Sequence, residues 1–200
     1  MSACLSGLLK IVLISCYIFS YGASAAEVTS ASVSSGFAAF SAGPVIKDFG
    51  KIAKVDSNLA IPAKMKFKVA FDLGKASDVG KVNRQIDTLA RFINMHVDAG
   101  VKLEDIELAM VVHGKAAIDM TKNAFYKQAN SSDANVTAGN ANATLIHELT
   151  KYQVKFYVCG QTAAYYGISP ADLLPGVDMA LSALTAHAIL SQQGFSSNPF

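Results

Sequence analysis

The run Ile106-Glu107-Leu108-Ala109-Met110-Val111-Val112 is almost continuously apolar and stops at His113-Gly114. A strand of that composition is covered on both faces, which is the condition of a strand inside a parallel sheet layered by helices. Phe67-Lys68-Val69-Ala70-Phe71-Asp72-Leu73 reads as the strand before it, residues 154–159 as a third, and residues 177–181 as the last, with helical spacing there a live alternative. Between the first two strands, Val82, Ile86, Leu89, Ile93 and Val97 recur every three or four residues while Lys81, Arg84, Asp87, Arg91 and Asp98 take the other faces. The spacing predicts an amphipathic helix closed by Gly100. Further helices are expected over residues 116–127, 141–152, from Cys159 to Tyr166 with Gly167 closing, and 183–193 with Gly194 closing. Residues 130–140, built of Ser, Asn, Asp, Ala, Thr, Gly and Val, read as a solvent-exposed loop. Strand and helix alternating in this order imply an α/β chain with an open, mainly parallel sheet and helices on both faces.

Residues 1–26 are set apart from the fold. Lys10 precedes the apolar run Ile11-Val12-Leu13-Ile14-Ser15-Cys16-Tyr17-Ile18-Phe19, and Ala23-Ser24-Ala25 supplies a small-residue cleavage site, the pattern of a secretory signal peptide. That run is about half the ~20 residues a membrane span requires, so release to the periplasm or the exterior, with no stable span, is expected. Leu13-Ile14-Ser15-Cys16 is similar to a lipobox, but the residues after Cys16 stay apolar, and lipidation there is the less favoured alternative. Residues 27–63 are expected to be a disordered lead-in to about Ser35 and then an extended arm, punctuated by Gly43-Pro44, Asp48-Phe49-Gly50 and Ile61-Pro62. Phe40, Val45, Ile46, Phe49 and Ile52 are its apolar anchors, and residues 64–200 form the α/β domain.

Several function classes fall away. Seventeen Lys and Arg against fifteen Asp and Glu give a net charge of +2 with no basic stripe, so no nucleic acid is expected as a partner. No strand is followed by GxGxxG or a P-loop, and no cofactor is expected. His96, His147 and His187 lack zinc-ligand spacing, and no metal is expected. Of the three cysteines, Cys4 and Cys16 leave with the signal, so Cys159 remains without an intramolecular partner in an oxidising compartment. A leftover thiol there is either buried or used, and without a CxxC pair it is no thioredoxin-like dithiol.

Cys159 stands where an expected strand gives way to a helix, in Val158-Cys159-Gly160-Gln161-Thr162. A helix dipole stabilises a charge there by about 0.3–1 kcal/mol, less than one pKa unit at roughly 1.4 kcal/mol per unit. Strong activation of the thiol therefore needs direct N–H donors from the turn at Gly160, Gln161 or Thr162, or a nearby cation. His113 is the candidate helper, because the strands of a parallel sheet end on one rim and adjacent strands would bring it within reach of Cys159. Two plainer readings stay open: His113 as a strand-end cap, and Cys159 as a small buried core residue. Asp72 and Gly114 share the expected rim, and Tyr165 and Tyr166 are expected to pack at an interface or shield the site.

Gly43-Pro44 with Asp48-Phe49-Gly50, then Lys68-Val69-Ala70-Phe71-Asp72, Val111-Val112-His113-Gly114, Cys159-Gly160-Gln161-Thr162 and a closing helix ending at Gly194-Phe195 resemble the exported branch of the DsrE/DsrF-like proteins. The likeness covers about residues 37–200. It implies a flavodoxin-like open sheet, assembly into homo- or hetero-oligomers such as trimers and hexamers, and sulfur relay through a persulfide on one cysteine, whose place Cys159 takes. The resemblance thus implies a periplasmic sulfur-handling protein, a possible sulfurtransferase or carrier, working through Cys159 with a sulfur donor or acceptor protein as partner, and the rim geometry adds His113 as its helper. Asp72, Gly114, Gly160, Gln161 and Thr162 are the candidate ligand-rim residues. The alternative is a noncatalytic oligomeric binding module on the same fold.

Overall fold

Side-chain alternation along the strands sorts the molecule into two unequal layers. The computed structural model describes residues 35–198, all within one compact unit, Ser34–Phe200; the expected signal segment, Cys4, Cys16 and most of the lead-in lie outside the described residues. The elements are β1 (Phe67–Leu73), α1 (Arg84–Asp98), β2 (Ile106–Val112), α2 (Asn123–Ala129), α3 (Asn142–Lys151), β3 (Lys155–Cys159), α4 (Gly160–Tyr166), β4 (Val177–Ala180), α5 (Ala183–Gln192) and β5 (Ser196–Asn198). The strands form one five-stranded sheet, ordered β4-β3-β2-β1-β5, and every pairing is parallel. The α/β open-sheet expectation is met.

One face carries the main core. Phe71, Leu73, Met110, Val112, Phe156 and Val158 point to this side and pack with Ile86, Leu89 and Ile93 of α1 and Leu145, Ile146 and Leu149 of α3. Positions offset by one residue, Ala70, Ala109 and Val111, point to the other side, where α5 contributes the buried Ala186 and Leu190 with the partly buried Ala183, and the segment after it Phe195. Small residues there bring α5 close to the sheet, and this thinly covered face is the one that carries the polar strand ends described below.

The arm is held by α1. Asn94, fully buried, accepts from the N–H groups of Val45 (3.1 Å) and Ile46 (2.9 Å) and donates to the carbonyls of Ile46 (2.9 Å), Phe49 (3.1 Å) and Gly50 (3.0 Å). Gly50, at φ +62°, donates its N–H to Asp87 at 2.7 Å, and a Cβ there would fall 2.2 Å from the backbone nitrogen of Arg91. The glycine is required by the close approach of arm to helix. Of the expected anchors, Ile46 and Ile52 are buried and Val45 and Phe49 pack at the edge of the core. Phe40 is a correction: it is 41% exposed, with the Arg91 guanidinium 5.9 Å from its ring centre.

Three further expectations are revised. The helix expected over residues 116–127 splits into a 3-10 segment, Gly114–Met120, and α2, because Thr121 leaves the helix to bridge Leu173 and Lys122 donates its N–H to Asp172 at 2.7 Å. The loop 130–140 is anchored rather than simply solvated: it holds a 3-10 turn, Ala134–Ala138, and both Asn130 and Asn140 are buried, Asn140 donating to the carbonyls of Asp119 (2.8 Å) and Thr121 (2.7 Å). Finally, β4 is not the last strand. Ser196–Asn198 adds an edge strand beside β1, a polar run with no apolar signature.

Beneath these loops lies Asp119, only 2% exposed, accepting from the N–H (2.8 Å) and hydroxyl (3.1 Å) of Ser77 and from Asn83 (2.9 Å). Burial pushes its carboxyl above the ordinary 3.8, outweighing the opposite pull of the Asn83 and Ser77 hydrogen bonds and of the Lys115 charge. A folded value above the unfolded one means that folding takes up a proton as the pH falls through it. Ionised Asp119 thus lowers stability at neutral pH, and that loss is recovered on acidification towards the unfolded value.

Two measurements check this account. Asn94→Leu leaves five backbone groups of the arm without partners, and urea unfolding should show a loss of roughly 3–5 kcal/mol; a loss under about 1 kcal/mol would contradict the anchoring role. Stability of the wild type relative to Asp119→Asn should rise between about pH 7 and about pH 4, and a flat or falling difference would contradict the burial effect.

Candidate functional site

Parallel pairing delivers three strand ends to one edge, and register sets their level. Asp72 pairs with Val111, Leu73 with Val112, and Val112 with Val158. The next residues in line, His113 and Cys159, therefore stand at the same level on neighbouring strands. Alternation turns Asp72, His113 and Cys159 towards the α5 face, the same side as Ala70, Val111 and Tyr157.

Cys159 is the free cysteine among the described residues, ends β3 and is the residue from which α4 starts. It is 6% exposed, yet its surroundings are not simply aliphatic. The backbone N–H groups of Gln161 and Thr162 at the start of α4, the Thr162 hydroxyl, and the N–H of Ala183 at the start of α5 all face its sulfur. At α4 the Cys159 side chain closes no cap hydrogen bond of ordinary geometry, and the action of these donors is strongest on the anion. Burial pushes the thiol up, but these donors outweigh it and hold Cys159 below the ordinary 9.0. Ala183 was not foreseen in the sequence; it reaches the sulfur because β4 pairs with β3, with Cys159 opposite Ala180.

Two glycines make that approach possible. At Gly160 a Cβ would lie 2.5 Å from the carbonyl oxygen of Ala180 and 3.0 Å from that of Leu181, so any side chain would push β4's end off the thiol. Gln161 spans the same gap, donating its side-chain amide to the Leu181 carbonyl at 3.3 Å. Gly114, at φ +53°, sits against the Gly74 carbonyl and donates its N–H to the Thr162 hydroxyl oxygen at 3.3 Å. With that oxygen engaged as acceptor, the hydroxyl hydrogen is available to the sulfur.

His113 occupies the expected rim position but is turned to Asp72, its Nε2 2.9 Å from Asp72 Oδ2. Among the described residues no hydrogen bond joins His113 to Cys159, so the expected direct contact is not formed. The unforeseen member is His187 of α5, whose Nε2 lies 2.8 Å from the other carboxylate oxygen, Asp72 Oδ1. Burial pulls the Asp72 carboxyl up, and the hydrogen bonds and charges of His113 and His187 outweigh that and hold it below 3.8. The signal for His187 was present: Ala183, His187 and Leu190 share one helical stripe, and Asp72 is the next inward position after Ala70 on β1.

A recess of about 380 Å³ opens beside this array, lined by Ala70, Asp72, His187, Ser191, Phe195 and Ser197. A larger one, about 890 Å³, lies away from it between arm residues such as Ile52 and Ser57 and the end of α1. The remaining histidines stand apart: His96 stacks on Phe92 at 3.9 Å, and His147 is exposed on α3. Tyr165 is exposed and Tyr166 packs against the main core. Among the described residues, no group of three or more His, Cys, Asp or Glu is arranged to hold a metal ion, and no helix is long and apolar enough to cross a membrane.

Comparison with curated proteins finds no match. Among solved structures, the chain is similar to a protein of unknown function, MTH1491, from Methanobacterium thermoautotrophicum, with 18% identity over 68% of this chain and all of that one at a TM-score of 0.49. It is also similar to the ychN protein from E. coli, with 15% identity over 67% of this chain and all of that one at a TM-score of 0.45. A family model, that of the DsrE/DsrF-like family, matches residues 65–196, which take in β1 to β4, α1 to α5 and the whole Asp72, His113, Cys159 and His187 rim. With well over half its length matched, the chain belongs to the DsrE/DsrF-like family.

Proposed function

We propose that this DsrE/DsrF-like protein handles sulfur outside the cytoplasm, Cys159 accepting sulfane sulfur and passing it on. The reading rests on one observation: backbone N–H groups from the starts of two helices and the Thr162 hydroxyl converge on a single thiol. In the loading step the Cys159 thiolate attacks the sulfane sulfur of a donor. A new S–S bond forms, the donor's S–S bond breaks, and the electron pair leaves with the donor's remaining sulfur as a thiolate. In the unloading step an acceptor thiolate attacks the outer sulfur of the persulfide, and Cys159 departs as a thiolate. In both steps charge sits on the Cys159 sulfur at one end of the reaction, and there the converging donors act.

The compartment follows from the Lys10 to Ala25 segment, read as a cleaved export signal that removes Cys4 and Cys16 and leaves Cys159 the chain's sole thiol. Assembly as a homo-oligomer, a trimer or hexamer, belongs to the same proposal. It is supported by Leu181 and Leu184, 73% and 84% exposed on either side of Ala183, which mark the thiol's surroundings as a place where another protein surface docks. The low exposure of Cys159 favours a second reading, a noncatalytic oligomeric module that uses the rim to bind a small ligand or partner.

Alkylation of the native protein followed by intact mass from about pH 5 to about pH 9 separates the two. The proposal predicts modification with a midpoint below that of an ordinary thiol, and a gain of one sulfur atom on exposure to polysulfide that Cys159→Ser abolishes. A thiol inert until the protein is denatured would contradict it and favour the binding module. Thr162→Val removes a hydroxyl donor while keeping shape, and it should slow alkylation near neutral pH about 3- to 10-fold; an unchanged rate would remove the donors from the explanation.

A further inference from the structure

We propose that Asn135 is a site of N-linked glycosylation, the acceptor that the fold leaves open among three in the chain. The inference rests on the export reading of residues 1–26 and asks nothing of Cys159.

The pattern Asn-X-Ser/Thr occurs in Asn130-Ser131-Ser132, Asn135-Val136-Thr137 and Asn142-Ala143-Thr144. In an exported chain it is the acceptor motif for an oligosaccharide, which is bulky and polar and therefore needs a surface position. Burial separates the three. Asn142 is fully buried, its side-chain oxygen accepting the Asn83 N–H at 2.7 Å and its amide donating to the Ser77 hydroxyl at 3.4 Å. Asn130 is also buried, and its amide donates to the Tyr126 carbonyl at 2.9 Å. A sugar on either nitrogen would have to displace packed chain. Asn135 and Thr137 are both exposed, and among the described residues the Asn135 side-chain amide makes no hydrogen bond.

The turn that presents Asn135 is held from below. Asp133 caps the 3-10 segment Ala134–Ala138 by accepting the Asn135 N–H at 2.8 Å, and Gly139, at φ +76°, ends it. The Asn135 carbonyl oxygen lies against Gly80, where a Cβ would come within 3.1 Å of it, so the main chain rests on the domain while the residue stays exposed. Asp133 also puts an acidic residue two places before the asparagine, a further feature read by oligosaccharyltransferases that act on exported bacterial chains. The buried motifs have Gln128 and Asn140 at that place.

The co-reactant is an oligosaccharide carried on a lipid diphosphate, and the transfer is made by a separate membrane oligosaccharyltransferase. Asn135 Nδ2 attacks C1 of the first sugar and a C–N bond forms. The C–O bond to the phosphate breaks, its electron pair leaves with the lipid diphosphate, and the proton lost from Nδ2 passes to a base of the transferase.

Mass spectrometry of the protein recovered from outside the cytoplasm of its own host tests this. Trypsin releases one peptide, Gln128–Lys151, that holds all three motifs, and electron-transfer fragmentation assigns the sugar to a residue. The inference predicts an oligosaccharide on Asn135 alone, lost completely in Asn135→Gln and in Thr137→Ala, with Asn130 and Asn142 bare in every form. A bare Asn135 in protein that has lost residues 1–26 would overturn it, as would a sugar on Asn130 or Asn142. A chain found only inside the cytoplasm, with residues 1–26 in place, would refute the export reading and the glycan with it. Failure of Cys159 to take up sulfur would count against the sulfur-handling reading and leave Asn135 untouched.

Discussion

In a parallel sheet all strands end on the same edge, and everything at this site depends on that constraint together with the register of β1, β2 and β3. Val112 paired with Leu73 on one side and Val158 on the other fixes the strand ends so that His113 and Cys159 come level. Alternation then selects the face. The thick core of α1 and α3 lies on the opposite side, and only α5, seated on Ala70, Ala109 and Val111, covers the polar strand ends. A shift of one residue in β2 would send His113 into the main core and Val112 to the rim. The well-packed layer thus sets the geometry of the thin one.

Cys159 illustrates how a buried thiol can still be an acid of more than ordinary strength. Loss of water raises its value, and a single helix dipole is too weak to reverse that. Donors from two chain segments together do so: the turn into α4 supplies Gln161 and Thr162, and the start of α5 supplies Ala183. Gly160 admits β4's end to within contact of that turn, which makes the second segment available. The hydrogen bond from the Gly114 N–H to the Thr162 hydroxyl links the His113 turn to the thiol turn, so the two strand ends are coupled by a direct bond as well as by level.

Much of this was legible in the sequence, and the parts that were not share a cause. Apolar periodicity exposed β1, α1, β2, α3 and β3, because each buries a full stripe or face. Cys159 and His113 followed from their places at strand ends. β5 escaped because Ser-Ser-Asn is stabilised by pairing with β1 and not by burial of its side chains. The break at Thr121 and the anchoring of Asn140 escaped because a side-chain amide and buried carbonyls satisfy one another over distances that no local pattern records, and Asn130 escaped because its bond back to the Tyr126 carbonyl leaves no apolar signature. His187 lay in a readable stripe, but its worth depends on Asp72, 115 residues earlier, and only the fold joins them. Ala183 has no side-chain chemistry to notice; its contribution is a backbone N–H.

The central claim is that donors from two helix starts favour the anionic form of the Cys159 sulfur and so lower its thiol from the ordinary value. The most direct measurement is the ultraviolet thiolate absorbance of the native protein as a function of pH, taken as the difference between wild type and Cys159→Ser. The account predicts a single transition centred below the ordinary thiol value of 9.0. A transition at or above that value, or none before the protein unfolds, would contradict it.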